Sequence, residues 1–580
     1  MVSNSEISSR LLELAGLTAL ADGSTNSFRA RAYQAAARAV EELAEPASQM
    51  SQTALTALRG IGKSTAAKIF ELEGTGRIEK LEKLRREFPP DFVEMTRVPG
   101  LGPKKALLLR DRLGATSVDD LKRAIAAETL RDVPGLGPKT EQNLFRAIER
   151  LGIGGKERRT PIIDAMRLAH EITAALSEVE GVERAEHMGS LRRFRDTIGD
   201  LGVIVAASGE HQAVADRFVS LPLVEETVAF GARKSVVLVT SGMQVDLRIV
   251  EPAQFGAAAL YFTGSKAHNI RLRQLAADCG WLLNEYGLMD AGTQGVIAAV
   301  TEEDVYAALG LDWISPEIRE DWGEIEAAAA GALPELIQED HLRGDLHVHT
   351  DWSGDGRGTL TATVAAAQER GYEYLAITDH AEDLAINGLS RERMLEQREA
   401  LAGLEGSMMT VLHGAELNIG RKGTVDYDPG FLAGFGWGVA SVHSLFDMPA
   451  AAQTERLITA MFDPAVNAIG HLSGRRIGRR PGIEFDVDAV LTAAAESRCA
   501  IEINCHLDRL DATAEVLRLA RDRDVLFTIA TDAHDARELA NTRWGTRHAR
   551  RGWVERDRVV NTWPKRRFLE WVEEKRGSKR

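Results

Sequence analysis

The chain has 580 residues, 44% hydrophobic and 27% charged. Such a balance excludes a disordered or fibrous protein and predicts three or four domains at roughly 100–200 residues each. Its 71 Lys/Arg against 86 Asp/Glu give a formal net charge of −15, which argues against a nucleic-acid partner until charge is read by segment. Residues 1–158 hold 25 basic and 21 acidic side chains (+4), residues 159–340 hold 14 and 29 (−15), and residues 341–580 hold 32 and 36 (−4). Three cysteines, Cys279, Cys499 and Cys505, give no disulfide framework and fit a reducing compartment. The opening Met1–Glu6 lacks the charged and apolar regions of a secretory signal, and no run approaches 18 apolar residues, so no membrane partner is expected.

In chain order, the clearest repeat is Val-Pro-Gly-Leu-Gly-Pro-Lys at 98–104 and again at 133–139, with a looser copy at Leu58-Arg59-Gly60-Ile61-Gly62-Lys63. Each Gly-x-Gly opens a stretch of helical period: Lys63–Leu72, Lys104–Leu113 and Lys139–Leu151. With Ile7–Leu14 and Ser27–Leu43 these predict an all-α region over residues 1–158. A glycine pair turns the chain tightly and leaves amide N–H groups open at a helix N-terminus, where a phosphate oxygen fits. A single copy is usually a plain turn. Three copies with nearby lysines (Gly60, Gly62, Lys63; Gly100, Gly102, Lys104; Gly135, Gly137, Lys139) resemble the helix-hairpin-helix motif. The resemblance implies a grip on the nucleic-acid backbone without sequence readout, with helix packing alone as the alternative.

Around 187–250 short β-rich runs such as Val203-Ile204-Val205 and Val236-Val237-Leu238-Val239 mark an α/β layer. Here lie Gly189-Ser190-Leu191-Arg192-Arg193, Gly199-Asp200-Leu201-Gly202 and Gln244-Val245-Asp246, followed by Tyr261-Phe262-Thr263-Gly264-Ser265-Lys266 and Asn269. A phosphoryl-transfer site needs carboxylates on adjacent strands for Mg²⁺ and a glycine-serine turn for the triphosphate. Together these strings resemble the palm and thumb of a family X DNA polymerase, over about residues 1–318. The resemblance implies catalytic Asp200 and Asp246, with Mg²⁺ or Mn²⁺ and a dNTP at an active site. It implies triphosphate contacts from Gly189, Ser190, Arg193 and Gly199, and sugar and base contacts from Tyr261, Phe262, Gly264 and Asn269. Lys68, at the lyase-lysine position, either forms a Schiff base with an abasic 5′ end or contacts phosphate. One position departs from the pattern. The family reads Gly-Asp-x-Asp, and here the second aspartate is Gly202. The missing carboxylate would bridge two ions, and the nearby Asp196 sits in the turn before the strand, so polymerase activity is expected to be impaired. The acidic stretch Glu317–Asp340 reads as a solvated linker helix.

From 342 onward strand-like runs alternate with amphipathic helices: Leu375-Ala376-Ile377, Val411-Leu412, Ala500-Ile501-Glu502-Ile503 and Leu526-Phe527-Thr528-Ile529. This alternation reads as a βα barrel. Ten of the 14 histidines lie in residues 341–580. Asp345-Leu346-His347-Val348-His349 puts two imidazoles on one face of a strand, since side chains alternate with period 2. Then come Asp355, Asp379-His380, Glu416, His443, His471 and Asp532-Ala533-His534. Any one histidine would be a capped or core residue, but nine His/Asp/Glu past successive strands converge on a barrel's catalytic end. Imidazole and carboxylate without thiolate suit Mn²⁺, Zn²⁺ or Fe²⁺. This segment resembles the PHP (polymerase and histidinol phosphatase) family, and the whole order resembles bacterial and archaeal family X polymerases. The resemblance implies up to three divalent metals: one on His347, His349, Glu416 and Asp532, a second sharing Glu416 with His443 and His471, and a third on Asp355, His380 and His534. Asp355 falls one residue later than the family's Ser-Asp-Gly pattern, and Leu472 replaces a proline. The basic cluster Gly474–Arg480 either holds DNA near the metals or is a solvated loop. His341, His413, His506 and His548 match no ligand position and are expected at the surface or beside the ligands.

The expected protein is multidomain. Residues 1–95 form a helical lyase-like domain, 96–158 hairpin repeats, 159–252 a nucleotidyltransferase palm and 253–318 a thumb. Residues 319–340 form a linker and 341–575 a distorted TIM-like PHP barrel. The expected function is DNA repair by a cytoplasmic, nucleoid-associated monomer acting on gapped, recessed or abasic DNA. Its activity would be metal-dependent 3′→5′ hydrolysis, with abasic-site cleavage as an extension. A competent gap-filling polymerase, a small-molecule phosphatase and a non-catalytic scaffold are the alternatives.

Overall fold

The computed structural model describes residues 4–24, 27–41, 47, 50–58, 60–96, 98, 100–151, 159–209, 211–403 and 409–577. Arg59 and Pro99 of the glycine motifs, and Glu42 and Leu43 at the end of the second expected helix, lie outside these residues. The chain divides into two compact units, Met1–Arg158 and Arg159–Arg580.

The described part of the first unit is helical throughout. Its three glycine motifs adopt one geometry. Gly60, Gly100 and Gly135 have φ of 96°, 84° and 84°, a region that L side chains avoid. The apolar residue between the glycines, Ile61, Leu101 or Leu136, is buried in the helical core. The second glycine then leads into α1 (Lys63–Thr75), α2 (Pro103–Leu113) or α3 (Pro138–Leu151). Gly62 and Gly102 cap α1 and α2 without a side-chain hydrogen bond, so no capping side chain takes up the first amides, while the N–H groups of Thr65 and Lys105 donate back to the carbonyls of Gly62 (2.9 Å) and Gly102 (3.0 Å). Lys63, Lys104 and Lys139 are exposed beside them.

The second unit opens with α4 (Ile162–Ser177) and a five-stranded sheet of β1 (Val182–His187), β2 (Asp200–Ala207), β3 (Val224–Ala229), β4 (Lys234–Val239) and β5 (Gln244–Val250). Among the described residues its order is β1-β2-β5-β4-β3, with β2 and β5 parallel. Alternation decides which face each residue takes. Leu201, Val203, Val205, Val245, Leu247 and Ile249 join a core with α4 and with α6 (Gln212–Val219), while the short α5 (Gly189–Arg192) carries the glycine-serine turn. Ile204, Ala206 and Val250 pack on the other face under α7 (Phe255–Thr263). That cover leaves the strand starts open on the same face, where Asp200 is exposed and Gly202 and Asp246 are half-buried. Next come α8 (Lys266–Asp278) and a small antiparallel sheet of β6 (Trp281–Asn284), β7 (Gly287–Asp290) and β8 (Val296–Ala298).

The C-terminal half builds β9 (Gly344–Asp345), β10 (Tyr374–Ile377), β11 (Thr410–Asn418), β12 (Trp437–Ser441), β13 (Ala468–Gly470), β14 (Ala500–Asn504) and β15 (Phe527–Ala530). Among the described residues these form one parallel sheet in sequence order, and a Val348–Ala533 bridge nearly closes it into a barrel. Inward side chains change along the strands. Tyr374, Trp437, Ala468 and Ala500 form an apolar floor with Phe568 and Trp571 of the last helix. Toward their C-terminal ends, strands β11, β12 and β14 bury Glu416, Ser441, Glu502 and Asn504.

Residues 317–340 are not the solvated linker helix expected from their acidity. Only Glu324–Ala329 is α-helical, and Glu317, Arg319, Glu324 and Ile337 are buried. Each buried charge meets a partner: Glu317 with Arg547 (2.9 Å), Arg319 with Glu302 (2.6 Å) and Glu324 with His268 (2.7 Å). Composition counts charges but not the partners supplied by distant segments. The palm and the barrel also share a core, since Ile477 and Leu510 of the barrel are buried among the palm's apolar residues.

Candidate metal centre

All nine expected ligands come together at the C-terminal mouth of the barrel, as parallel strands dictate. His347 and His349 lie just past β9, with the intervening Val348 turned into an apolar cluster. Glu416, on β11, is the hub. His380 Nδ1 lies 2.8 Å from it, His471 Nε2 2.9 Å, His443 Nε2 3.1 Å, His347 Nε2 3.4 Å and His349 Nε2 3.6 Å. Asp532 Oδ1 stands 3.3 Å from His349 and 3.7 Å from His347. Asp355, despite its later place in the loop, reaches His380 (3.1 Å) and His534 (3.4 Å) and accepts a 2.8 Å hydrogen bond from Asn387. His471 and Asp532 adopt φ of 26° and 53°, and strained backbone of this kind gathers at functional sites.

Among the described residues three groupings have metal-holding spacing: His349, Asp355, His380 and His534; His347, His349 and Glu416; and His380, Glu416 and His443. The buried Nε2 atoms of His347 and His349 and Oε2 of Glu416 have no hydrogen-bond partner. Buried polar atoms are normally paired, so these point to a cation as their common partner, and the donor set fits one. Electrostatics agree. Burial opposes ionisation of Glu416, yet the surrounding imidazoles hold it well below the usual carboxylate range. Burial and the neighbouring His380 push His349 down to about 3, which keeps that ring neutral and able to donate a lone pair.

Several functional groups were not anticipated. Glu502 Oε2 lies 2.5 Å from His347 Nδ1, and Asn418 Oδ1 lies 2.8 Å from His443 Nδ1, so the opposite ring nitrogens face the centre. Such partners orient a ligating ring. The signal for Glu502 was present as a lone charge among the apolar residues of β14. Arg509 approaches Asp532 at 3.6 Å, and its buried Nη1 has no hydrogen-bond partner. An open cavity of about 440 Å³ lies over the site, lined also by Arg476, His506 and Arg509.

Gly470 packs too closely on β12 to carry a side chain, and it lies beside His347. A Cβ added there would lie 2.3 Å from Ser441 Oγ, 2.7 Å from Val439 Cγ1 and 3.4 Å from His347 Cε1. Gly470→Ala is expected to cost about 1–3 kcal/mol of stability, as overpacking does, and to loosen metal binding. Thermal unfolding with and without a chelator measures both effects. Wild-type values in each would show that this close approach does not matter.

Of the basic cluster, Arg475 is consumed inside the protein, as neither reading foresaw. It donates to Asp196 (2.7 Å) and to the carbonyl of Arg509 (2.8 Å). Arg480 stacks on Phe446 and donates to the carbonyl of Gly474 (2.7 Å). His548, placed by the sequence at the surface or beside the ligands, is fully buried with Nε2 2.8 Å from the Ala512 carbonyl oxygen. His413 is buried against Arg398, His506 lines the cavity, and His341 Nδ1 accepts from the backbone N–H of Gln338.

In the palm, Gly202 pairs with Asp246 across β2 and β5, while Asp200 is two residues back on the same face. Gln244 donates to Asp246 (2.8 Å). The turn of Gly189 and Ser190 opens on the same end of the sheet, with Gly189 at φ 68° and Gly199 in the bend before β2. Arg193 is engaged internally with Glu320 (3.1 Å) and the carbonyl of Thr263. Tyr261 and Phe262 pack edge to face, Gly264 has φ 70°, and Asn269 donates to the carbonyl of Tyr261 (2.6 Å). In the first unit, Lys68 donates to the carbonyl and hydroxyl of Ser64 (3.2 Å each) and sits 5.9 Å from the Tyr33 ring. Among the described residues no helix is long and apolar enough to cross a membrane.

Hairpin repeats, a nucleotidyltransferase palm and thumb, and a histidine-lined barrel in one chain define a class. Family patterns match four segments: a helix-hairpin-helix domain over residues 2–78, a SAM-like helix-hairpin-helix tandem over 92–150, a DNA polymerase beta thumb over 258–320 and a PHP domain over 345–506. A Bacillus subtilis protein named DNA polymerase/3′-5′ exonuclease PolX is 36% identical over 92% of this chain and 94% of its own length. Proteins named probable phosphatase are similar over a smaller part. One from Vibrio campbellii is 29% identical over 40% of this chain and 93% of its own length, and one from Vibrio parahaemolyticus is 32% identical over 34% and 79%. The chain belongs to the family X DNA polymerases that carry a C-terminal PHP domain.

Proposed function

We propose that this protein shortens DNA from 3′ ends by metal-dependent phosphodiester hydrolysis in its PHP barrel, and that its polymerase site is impaired by Gly202. The observation that carries the first part is the set of buried, unpartnered ligand atoms around Glu416 beneath an open cavity. The name of the Bacillus subtilis relative supports the same reading. Up to three ions would be held by His347, His349, Glu416 and Asp532, by Glu416, His443 and His471, and by Asp355, His380 and His534. Mn²⁺ and Zn²⁺ suit these donors, and Fe²⁺ fits the same set. Bound divalent ions supply Lewis acidity and make water a competent nucleophile at neutral pH.

The chain's own residues supply orientation and charge. Glu502 and Asn418 fix the imidazoles of His347 and His443. Arg509 offers a buried, unpaired guanidinium N–H to a phosphate oxygen, and such charge-assisted bonds are the strong ones. Arg476 and His506 line the approach of the DNA strand. The hairpins would hold the backbone through helix-terminal amides and Lys63, Lys104 and Lys139. Lys68, bound to Ser64 at its helix surface, fits a phosphate contact. Cleavage at abasic sites would use the same barrel chemistry.

The polymerase half rests on Asp200 and Asp246, with Mg²⁺ or Mn²⁺ and a dNTP. Asp196 does not replace the missing ligand, because Arg475 holds it. Labelled gapped and recessed DNA, incubated with dNTPs and either Mn²⁺ or Mg²⁺, tests both parts at once. Shortening without extension is the expected result. Extension at rates normal for the family would overturn the second part, and a failure to shorten any end would overturn the first.

A further inference from the structure

We infer that the palm is a working part of the hydrolase: Asp196, acting through Arg475, positions Arg509 at the metal centre. This rests on the proposed phosphodiester hydrolysis. The loop after β14 places two adjacent residues in two different sites. Arg509 turns toward Asp532 at 3.6 Å with a buried, unpaired Nη1. Leu510, at φ 42° and fully buried, inserts into the hydrophobic core of the palm. The carbonyls of both residues accept hydrogen bonds from Arg475, at Nε (2.8 Å) and Nη2 respectively. The third nitrogen of that guanidinium, Nη1, binds Asp196 Oδ2 at 2.7 Å, and the Arg475 side chain is only 14% exposed.

A guanidinium has a rigid fork of donors. With one edge fixed by a palm carboxylate, its other donors present a set position to the two carbonyls. The same strap continues on either side. Ile477 N–H donates to the Asp508 carbonyl at 2.6 Å, and Ser473 donates to Asp511 through N and Oγ at 2.9 Å each. Asp196 itself is held in a turn that the barrel grips. Arg547 and Arg551 donate to the carbonyls of Arg192 (2.7 Å) and Arg193 (3.0 Å), and Trp544 stacks on Phe194. Removing the Asp196 charge frees Arg475 to swing, leaves the Arg509 carbonyl without its fixed donor, and lets the substrate-facing guanidinium drift. Misplacement by about 1 Å of a group that meets the reacting phosphate lowers rate substantially. A palm without its second catalytic aspartate thus keeps a task that does not require it to polymerise.

The test uses the full-length chain loaded with Mn²⁺ and the p-nitrophenyl ester of thymidine 5′-phosphate, a phosphodiester too small to need the hairpins. Asp196→Asn is expected to lower kcat/KM about tenfold with metal content unchanged, and Asp196→Glu to recover most of that loss. In an Arg509→Lys background the Asp196→Asn change is expected to cost less than about twofold, because residues acting in one network are non-additive. Wild-type activity in Asp196→Asn would overturn the inference. So would an equal loss in the presence and absence of Arg509, which a purely structural clasp would produce. If the wild-type protein hydrolyses neither this ester nor DNA, the hydrolase reading itself fails, and the variant comparison is not what decides it.

Discussion

Glu416→Gln lowers 3′ shortening of DNA by at least about a thousandfold, equivalent to ~4 kcal/mol of barrier, and strips bound metal from the barrel at the same time. The reason is its place at the hub, within 2.8–3.6 Å of the imidazoles of His347, His349, His380, His443 and His471. No other carboxylate of the site is shared in this way among the described residues. The amide keeps the shape but removes the negative charge that balances the cations. His349→Ala should act in the same direction, since His349 belongs to two of the three metal-holding groups. Metal analysis on the purified variants, alongside digestion of a labelled recessed end, gives both readouts. A Glu416→Gln protein with full metal content and near-normal digestion would remove Glu416 from the centre.

Gly202→Asp raises primer extension in a DNA gap by at least about a hundredfold, or ~2.7 kcal/mol. The backbone is ready for the substitution. Gly202 sits opposite Asp246 in the sheet and shares a face with Asp200, and a Cβ built on it meets nothing closer than Met188 Cβ at 3.7 Å. A carboxylate there would complete the pair-bridging ligand set that two-metal transfer requires. Exonuclease activity should be unchanged, because the barrel ligands lie elsewhere. The measurement is extension of a gapped primer with Mg²⁺ and with Mn²⁺, wild type against variant. Equal extension by the two proteins would mean that the palm's chemistry does not depend on this position.

The local parts of this molecule were legible because they are written in short-range rules. The Gly-x-Gly copies announce a turn whose first residue needs positive φ and whose middle residue is buried, and all three copies do this. Strand runs such as Val203–Val205 and Ala500–Ile503 fell inside β2 and β14 because β-branched and apolar alternation is itself the strand signal. The clustering of the nine His/Asp/Glu residues was visible for a related reason: histidines following strand-like runs have to meet at one end of a parallel barrel. Asp355 needed the structure, since its loop length alone could not show that it reaches His380 and His534. Glu502 and Asn418 were missed because polar groups that orient a ligand carry no spacing of their own.

Charge was the feature that sequence described most incompletely. Composition gave 159–340 a net −15 and suggested a solvated linker around Glu317–Asp340. The fold instead buries Glu317, Arg319 and Glu324 against Arg547, Glu302 and His268. Those partners are between 17 and 230 residues away, and no local pattern can announce them. The sequence by itself determined the order of domains, which His/Asp/Glu side chains gather at the barrel mouth, and the glycine at the second aspartate position, because each depends on residue identity within a short window. Only the tertiary structure decided that Arg475 binds Asp196 rather than DNA, that Arg509 and Leu510 face two different sites, and that palm and barrel share a core. Those outcomes depend on which surfaces meet, and burial makes each charge choose a partner there.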